Sequence, residues 1–474
     1  MSDTVIFAIG TFGSKLLTYF MLPIVTGELS ANEYNTADLI AQTANLLFPL
    51  VCLSITSAVL RYGLDKAYTK TTVFTVSLVV IGFGFGGMLL LWPLLSRGMV
   101  LLKLPAQYTG LIYLYVLASV LHSLFGCFIR TLNRLKLFAY DGIQNTALSI
   151  VFTLVNLFVF HWGAVGYTLA VIAADAVSAI FLFFAAKLHR FVKIDAYSKS
   201  IAKSMLRYSI PLIPTTLFWW ITNVSDRYMV TYMVGSEVAG LYAASSKIPN
   251  LINLLSTIFS EAWQLSAISE KDSPTRNRFF SKVFNAYTSL LFCAASFLTM
   301  TCQIFTRVLV AGTYYEAWMY IPVLLLAMVF NCFCSFLNSI YMVERKSVIS
   351  LVTVMAGAIT NVVLNLILIR AFGAVNPVMG AFGAALATLA SYVVVFVLRL
   401  VTTKQMISIH INRARMGLNI LLVAAQVALT NLQVPHWMAW NAVLFALLLL
   451  LNAYSIFSIF RTFLAAHKAP KKAD

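Results

Sequence analysis

Apolar residues run along this chain in about fourteen long stretches, and the polar residues inside them recur every three or four positions rather than alternating. An apolar run of about 18 or more residues is long enough to span a bilayer as a helix, and a three-to-four spacing puts polar residues on one helical face. The pattern predicts spans over 4–26, 36–60, 72–95, 108–132, 138–160, 164–187, 208–234, 238–262, 279–303, 318–341, 347–369, 379–401, 416–434 and 437–463. The expected fold class is an all-α polytopic membrane protein of about 14 transmembrane helices. The longest non-apolar stretches, 188–207 and 263–278, are too short to fold alone.

Composition agrees: 61% of residues are hydrophobic and 10% charged, unlike a soluble globule. The net charge of +17 would suggest nucleic acid in a soluble protein, but no soluble basic domain carries it. Of the 33 Lys and Arg, 26 fall in every second gap or the tail, for example Arg61, Lys66 and Lys70, then Arg130, Arg134 and Lys136, then Lys187 to Arg207. The opposite gaps hold only Arg97, Lys103, Arg307 and Arg370. Basic residues mark cytoplasmic loops, so both termini are expected in the cytoplasm. Met1 to Asp3 bring no basic n-region and no cleavage site follows, so the first span is expected to stay in the membrane. The six cysteines lie inside spans without metal-ligand spacing, which reads as packing. No phosphate-binding glycine loop, HExxH or nucleophile elbow occurs, and Gly82, Gly84, Gly86 and Gly87 sit within one span, as close helix packing requires. No cofactor is expected.

The spans repeat in two sets of six: 1–190 and 208–403, joined by a basic cytoplasmic linker 191–207 and followed by two more helices and a basic tail in 404–474. Span 2 carries the stripe Asp38, Gln42, Asn45, Pro49, Cys52 and Thr56, and span 8 the stripe Ser246, Asn250, Asn253, Thr257, Glu261 and Gln264. Further polar faces lie on span 1 (Thr4, Thr11, Lys15, Thr18), span 5 (Asp141, Asn145, Ser149, Asn156) and span 7 (Thr215, Thr222, Asn223, Asp226, Arg227). Such stripes also serve plain interhelical hydrogen bonding, but five of them predict a shared hydrated cavity between two pseudo-symmetric lobes. Charges inside spans are costly and default to function. Lys15, Arg227 and Lys247 lie at similar expected depth, and buried cations of one sign point to an anionic ligand, most naturally a pyrophosphate. Arg61, at the inner end of span 2, is a candidate for the entrance, or an anchor at the membrane surface. Asp141, Asp175, Asp226 and Glu261 are candidates for a coupling ion or proton. Local pairing, with Asp226 or Asp175 neutralising one of the cations, is the competing account.

The stretch SDRYMVTYMVGSEVAGLYAASSKIP (Ser225 to Pro249) resembles the central signature of Wzx-type polysaccharide-biosynthesis flippases of the multidrug/oligosaccharidyl-lipid/polysaccharide exporter superfamily, through Asp226, Arg227, Gly240, Tyr242 and Ala243. LSANEYNTADLI (Leu29 to Ile40) and SAVLRYG (Ser57 to Gly63) are similar to the first half of that family, with Asn35 standing where the family usually has glycine. The resemblance implies a two-lobed helical bundle that moves an undecaprenyl-pyrophosphate-linked oligosaccharide across the bacterial inner membrane by alternating access. It also implies a polysaccharide polymerase and chain-length machinery as partners, and no enzymatic step. On that reading Asn45, Asn145, Asn223, Asn250 and Asn253 line the cavity, and Trp219, Trp220, Tyr19 and Tyr228 offer faces for sugars or belong to the interfacial aromatic belt. A lipid II flippase and a drug or cation exporter of the same superfamily are the alternatives, with a membrane glycosyltransferase further off.

Overall fold

The computed structural model describes residues 19–101, 106–269, 275–344 and 346–468, with side chains at 101, 258, 261, 262, 264–269 and 456–468 left out of the description. Lys15 and the polar face of span 1 therefore lie outside the described residues, as does the Glu261 side chain. Among the described residues the chain is helical throughout, without strands. By packing it divides into two compact units, Met1–Ala243 with Leu309–Tyr314, and Ala244–Val308 with Tyr315–Asp474.

In the first unit, α1 (Leu22–Glu28) leads into α2 (Ala31–Val51). Ser30 Oγ accepts from the Glu33 amide at 3.3 Å, and Glu33 Oε2 accepts from the Ser30 amide at 3.0 Å. This capping box satisfies two donors that a helix start otherwise leaves open. Pro49 supplies no amide to the helix ladder. The chain then turns through Leu53 and Ser54, both left-handed at φ 47° and 51°, and resumes as α3 (Ile55–Leu64) bent by 51°. Next come α4 (Lys70–Leu90), α5 (Trp92–Leu101), α6 (Thr109–Thr131), α7 (Leu135–Leu154) and α8 (Gly163–Ala185). A π turn at Val155–Val159 extends α7, and Asn156 Nδ2 donates to the Gly166 carbonyl at 2.8 Å across the bend into α8. The basic linker forms short 3-10 turns and α9 (Lys199–Ser209), which packs on α3 and α4. The unit closes with α10 (Ile213–Met233) and the start of α11 (Ser236–Ser245). Its core is built by α2, α3, α4, α6 and α8, through fully buried Val59, Phe74, Phe128 and Leu182 among others. Gly84 of α4 sits so close to the Val51 carbonyl that a Cβ would fall 1.9 Å from the oxygen, whereas Gly82, Gly86 and Gly87 face open space. Of that glycine cluster, Gly84 alone is fixed by packing.

The second unit contains α12 (Asn250–Ser269), α13 (Arg276–Met300), α14 (Cys302–Leu309), α15 (Ile321–Val343), α16 (Ser347–Gly373), α17 (Pro377–Thr403), α18 (Arg413–Leu432) and α19 (Trp437–Lys468). The pair α16 and α17 packs through small residues, Gly383 against the Leu368 carbonyl and Gly357 against Val395. Arg399, near the end of α17, is fully buried and donates to the Cys334 carbonyl at 2.6 Å and to Thr353 Oγ1 at 3.1 Å. Helices α18 and α19 are held by buried amides: Asn419 and Asn452 exchange hydrogen bonds at 3.2 and 2.7 Å. Ser296 of α13 donates to Gln426 of α18 at 2.7 Å. Asn419→Ala would leave the Asn452 amide without its partner, and about 1–3 kcal/mol of lost stability is expected. A thermal unfolding scan in detergent against the wild type reads it directly.

Ten helices among the described residues are long and apolar enough to cross a membrane, eleven if the bent pair α2 and α3 counts as one span. Their outer faces carry exposed Phe83, Leu90, Ile180, Phe184, Ile359 and Leu450, as contact with lipid requires. The predicted total of fourteen exceeds that count for identifiable reasons. Span 1 lies largely outside the described residues, and span 7 appears as α10, too polar to count by hydropathy. Span 8 is interrupted at 246–249, where Pro249 ends the turn between α11 and α12.

Candidate functional site

The residues that make α10 too polar to read as an ordinary span meet the polar stripe of α2. Arg227 of α10, 8% exposed, forms an ion pair through Nη1 with Oδ2 of Asp38, also 8% exposed. Asp226, next to Arg227, accepts from the Arg227 amide on Oδ1 at 2.8 Å and from the Tyr242 hydroxyl of α11 on Oδ2 at 2.6 Å. Around this centre, Asn35 of α2 donates to Thr231 Oγ1 of α10 at 3.2 Å and to Ser236 Oγ of α11 at 3.0 Å. Gln42 approaches Asp38 at 3.4 Å, Thr43 and Tyr228 share a hydroxyl contact at 2.8 Å, and Trp220 Nε1 donates to the Gln42 carbonyl at 3.0 Å. A guanidinium and two carboxylates are thus held together away from water, where leaving any of them unpaired is expensive.

The geometry gives the motif residues physical reasons. A Cβ on Gly240 would fall 1.9 Å from the Ala31 carbonyl oxygen, so only glycine lets α11 cross the start of α2 this closely. Tyr242 supplies the hydroxyl for Asp226, and Ala243 is fully buried. Asn35, the departure from the family pattern, is fully buried and stitches α2 to α10 and α11.

A second polar cluster lies among α6, α7 and α8. His122 of α6 contacts Asp141 Oδ2 of α7 through Nε2 at 2.9 Å and Asp175 Oδ1 of α8 through Nδ1 at 3.2 Å. Asp175 also accepts from Ser119 Oγ at 2.5 Å and from Asn145 Nδ2 at 3.0 Å. Asp141, Asp175 and Asn145, three of the sequence candidates, therefore converge in one place.

The remaining candidates have other surroundings. Arg61 is exposed near the end of α3, its guanidinium 4.5 Å from the centre of the Tyr208 ring. Asn223 donates to the Trp219 carbonyl of its own helix at 2.6 Å, and Asn45 is exposed on α2. Lys247 occupies the turn before α12 in the second unit, half-buried and without an ion pair among the described residues. Asn250 is half-buried at the start of α12 and Asn253 exposed one turn on. Two residues of these clusters escaped the sequence reading. Asp38 stood in a stripe without an assigned role, and His122 was not singled out, although an imidazole inside an apolar span is itself the signal.

Fold and buried charge together define a multi-pass membrane protein with the architecture of known transporters. The structure of the lipid II flippase MurJ in an inward closed conformation matches 97% of this chain and 100% of its own, with a TM-score of 0.66 at 14% identity. Multidrug-resistance MATE family transporters of the MOP superfamily match in an outward-facing conformation (TM-score 0.62, 14% identity, 86% of this chain and 95% of theirs) and an inward-facing one (0.61, 14%, 82% and 98%). No curated protein matches the sequence. The sequence profile described as polysaccharide biosynthesis protein matches residues 1–264, more than half of the chain, and the chain belongs to that family.

Proposed function

We propose that the protein is a flippase that carries a polyprenyl-pyrophosphate-linked oligosaccharide, an undecaprenyl-linked repeat unit, from the cytoplasmic to the outer leaflet of the bacterial inner membrane for surface polysaccharide synthesis, both termini being cytoplasmic. The observation that carries this reading is the buried Arg227 ion pair in a chain of the polysaccharide biosynthesis family. A pyrophosphate offers Arg227 the same geometry as the Asp38 carboxylate with more charge, and arginine binds both as a planar fork. The substrate would take the guanidinium from Asp38 at one stage of alternating access and return it at another, without covalent chemistry. Lys15 and Lys247 are proposed as further pyrophosphate contacts, and Arg61 as a contact at the entrance. Asn45, Asn223, Asn250 and Asn253 would serve the sugars. The six-plus-six repeat would supply the two lobes that alternate. Polymerase and chain-length proteins would take over the product at the outer leaflet. A lipid II flippase is the second reading, supported by the full-length match to MurJ.

Deletion of the gene tests the reading in the cell. Lipid-linked sugar intermediates are expected to accumulate on the inner leaflet, and the wild-type gene but not Lys15→Ala is expected to clear them. Unchanged intermediates together with altered drug tolerance would move the protein to the exporter branch.

A further inference from the structure

We propose that His122, Asp141 and Asp175 form a proton-binding site that couples transport to a proton gradient. The inference rests on the flippase reading and adds its energy source.

Both ring nitrogens of His122 face a carboxylate oxygen, at 2.9 and 3.2 Å. Neutral imidazole has one N–H and satisfies one of these contacts, whereas the imidazolium donates to both. The two carboxylates are not equivalent. Asp175 has three side-chain donors, Ser119, His122 and Asn145. Asp141 has His122 on Oδ2 alone, and no protein donor reaches its buried Oδ1 among the described residues. With the imidazolium in place the trio carries one net negative charge in a nearly dry site, and one further proton on Asp141 Oδ1 neutralises it. The bridge thus has two charge states. His122 and Asp175 keep 19% and 16% of their side-chain surface exposed against 4% for Asp141, so Asp141 is the innermost member of the trio.

The surroundings isolate this trio. Tyr115 on α6 interacts with Asp175, with Tyr167 of α8 and with Asp38 of α2, and Asp38 is held by Arg227. Among the basic groups on α6 and the elements packed against it, Lys70 donates to the Thr131 carbonyl, Arg130 lies over Phe138 and Arg61 over Tyr208. Tyr115 lies in the field of both Asp175 and Asp38.

Two measurements test the proposal. The first is 15N NMR of the histidine-labelled protein in nanodiscs between pH 5 and 9, the His122 signal being the one of six lost in His122→Gln. If that variant fails to fold, substitution of the other five histidines assigns the signal by exclusion. Protons on both ring nitrogens at neutral pH, and a titration midpoint moved by about one unit or more in Asp141→Asn, are expected. A His122 signal that titrates independently of Asp141 and Asp175 would overturn the site. The second follows a fluorescent polyprenyl-diphosphate disaccharide in proteoliposomes with the membrane potential clamped. A one-unit pH gradient biases a one-proton step up to about tenfold, and a rate change approaching that size is expected for the wild type and for exposed His189→Gln, but not for His122→Gln. A wild type driven by sodium and indifferent to pH overturns the proposal. A wild type that moves no probe refutes the flippase reading, while the NMR titration still decides the proton site.

Discussion

Arg227→Ala is expected to abolish transport and to destabilise the protein by about 3–5 kcal/mol, because it strands the buried Asp38 carboxylate. Loss of transport alone would not separate a ligand role from a structural one. The double variant Asp38→Asn with Arg227→Gln does, since it removes both charges while keeping groups of similar shape that can hydrogen-bond. Stability is expected to recover most of the loss, as replacement of both members of a buried pair usually permits. Transport is expected to stay absent, because the planar guanidinium that grips the pyrophosphate is gone and Lys15 and Lys247 offer only point charges. A double variant that folds and transports like the wild type would reduce Arg227 to a brace between α2 and α10, and the anion-site reading would fail. Thermal unfolding and a complementation assay for surface polysaccharide, run on the wild type, Asp38→Asn, Arg227→Gln and the double variant, give the full cycle.

Gly240→Ala is expected to disrupt the site without touching a charged group. Its Cβ would fall 1.9 Å from the Ala31 carbonyl, and that oxygen belongs to helix backbone that cannot swing aside. The start of α11 must move away from α2, which removes the Tyr242 hydroxyl from Asp226 and Ser236 from Asn35. Overpacking of this kind costs about 1–3 kcal/mol, and transport is expected to fall further than stability because the network loses two of its contacts. Tyr242→Phe separates the effects: it keeps the packing, removes one hydrogen bond to Asp226 at a cost of about 1.5–3 kcal/mol, and is expected to reduce transport further than that loss of stability explains. Equal losses of folding and transport in both variants would contradict this ordering.

The hydropathy pattern made the long spans legible because lipid imposes a length and an apolar surface on each one. It was least informative where the chain bends. The stretch 36–60 reads as one helix, yet it breaks at Leu53 and Ser54, since a left-handed turn following Pro49 leaves hydropathy unchanged. The stretch 238–262 breaks at 246–249, beside a proline the sequence displays plainly. The units divide by packing at Ala243, beyond the basic linker 191–207, because α10 and the first turns of α11 are tied to α2 by Arg227, Asp226 and Asn35. Within the site, Asp226 and Arg227 stood out as a motif, and Asp226 or Asp175 were the candidates for neutralising one of the buried cations. The actual partner, Asp38, is 189 residues away, and helical spacing encodes nothing about which distant face a charge will meet. Asp141, Asp175 and Asn145 were selected one by one, and their convergence on His122 exists only once three helices pack.

The most direct test of the central claim is transbilayer movement of a purified polyprenyl-pyrophosphate-linked oligosaccharide in vesicles containing this protein alone, read by the fraction that an impermeant lectin or sugar-oxidising reagent can reach. The account predicts that the reachable fraction rises with time in vesicles with the wild type and stays constant in vesicles with Asp38→Asn/Arg227→Gln. A fraction that stays fixed with the folded wild type, or rises equally with the double variant, would contradict it.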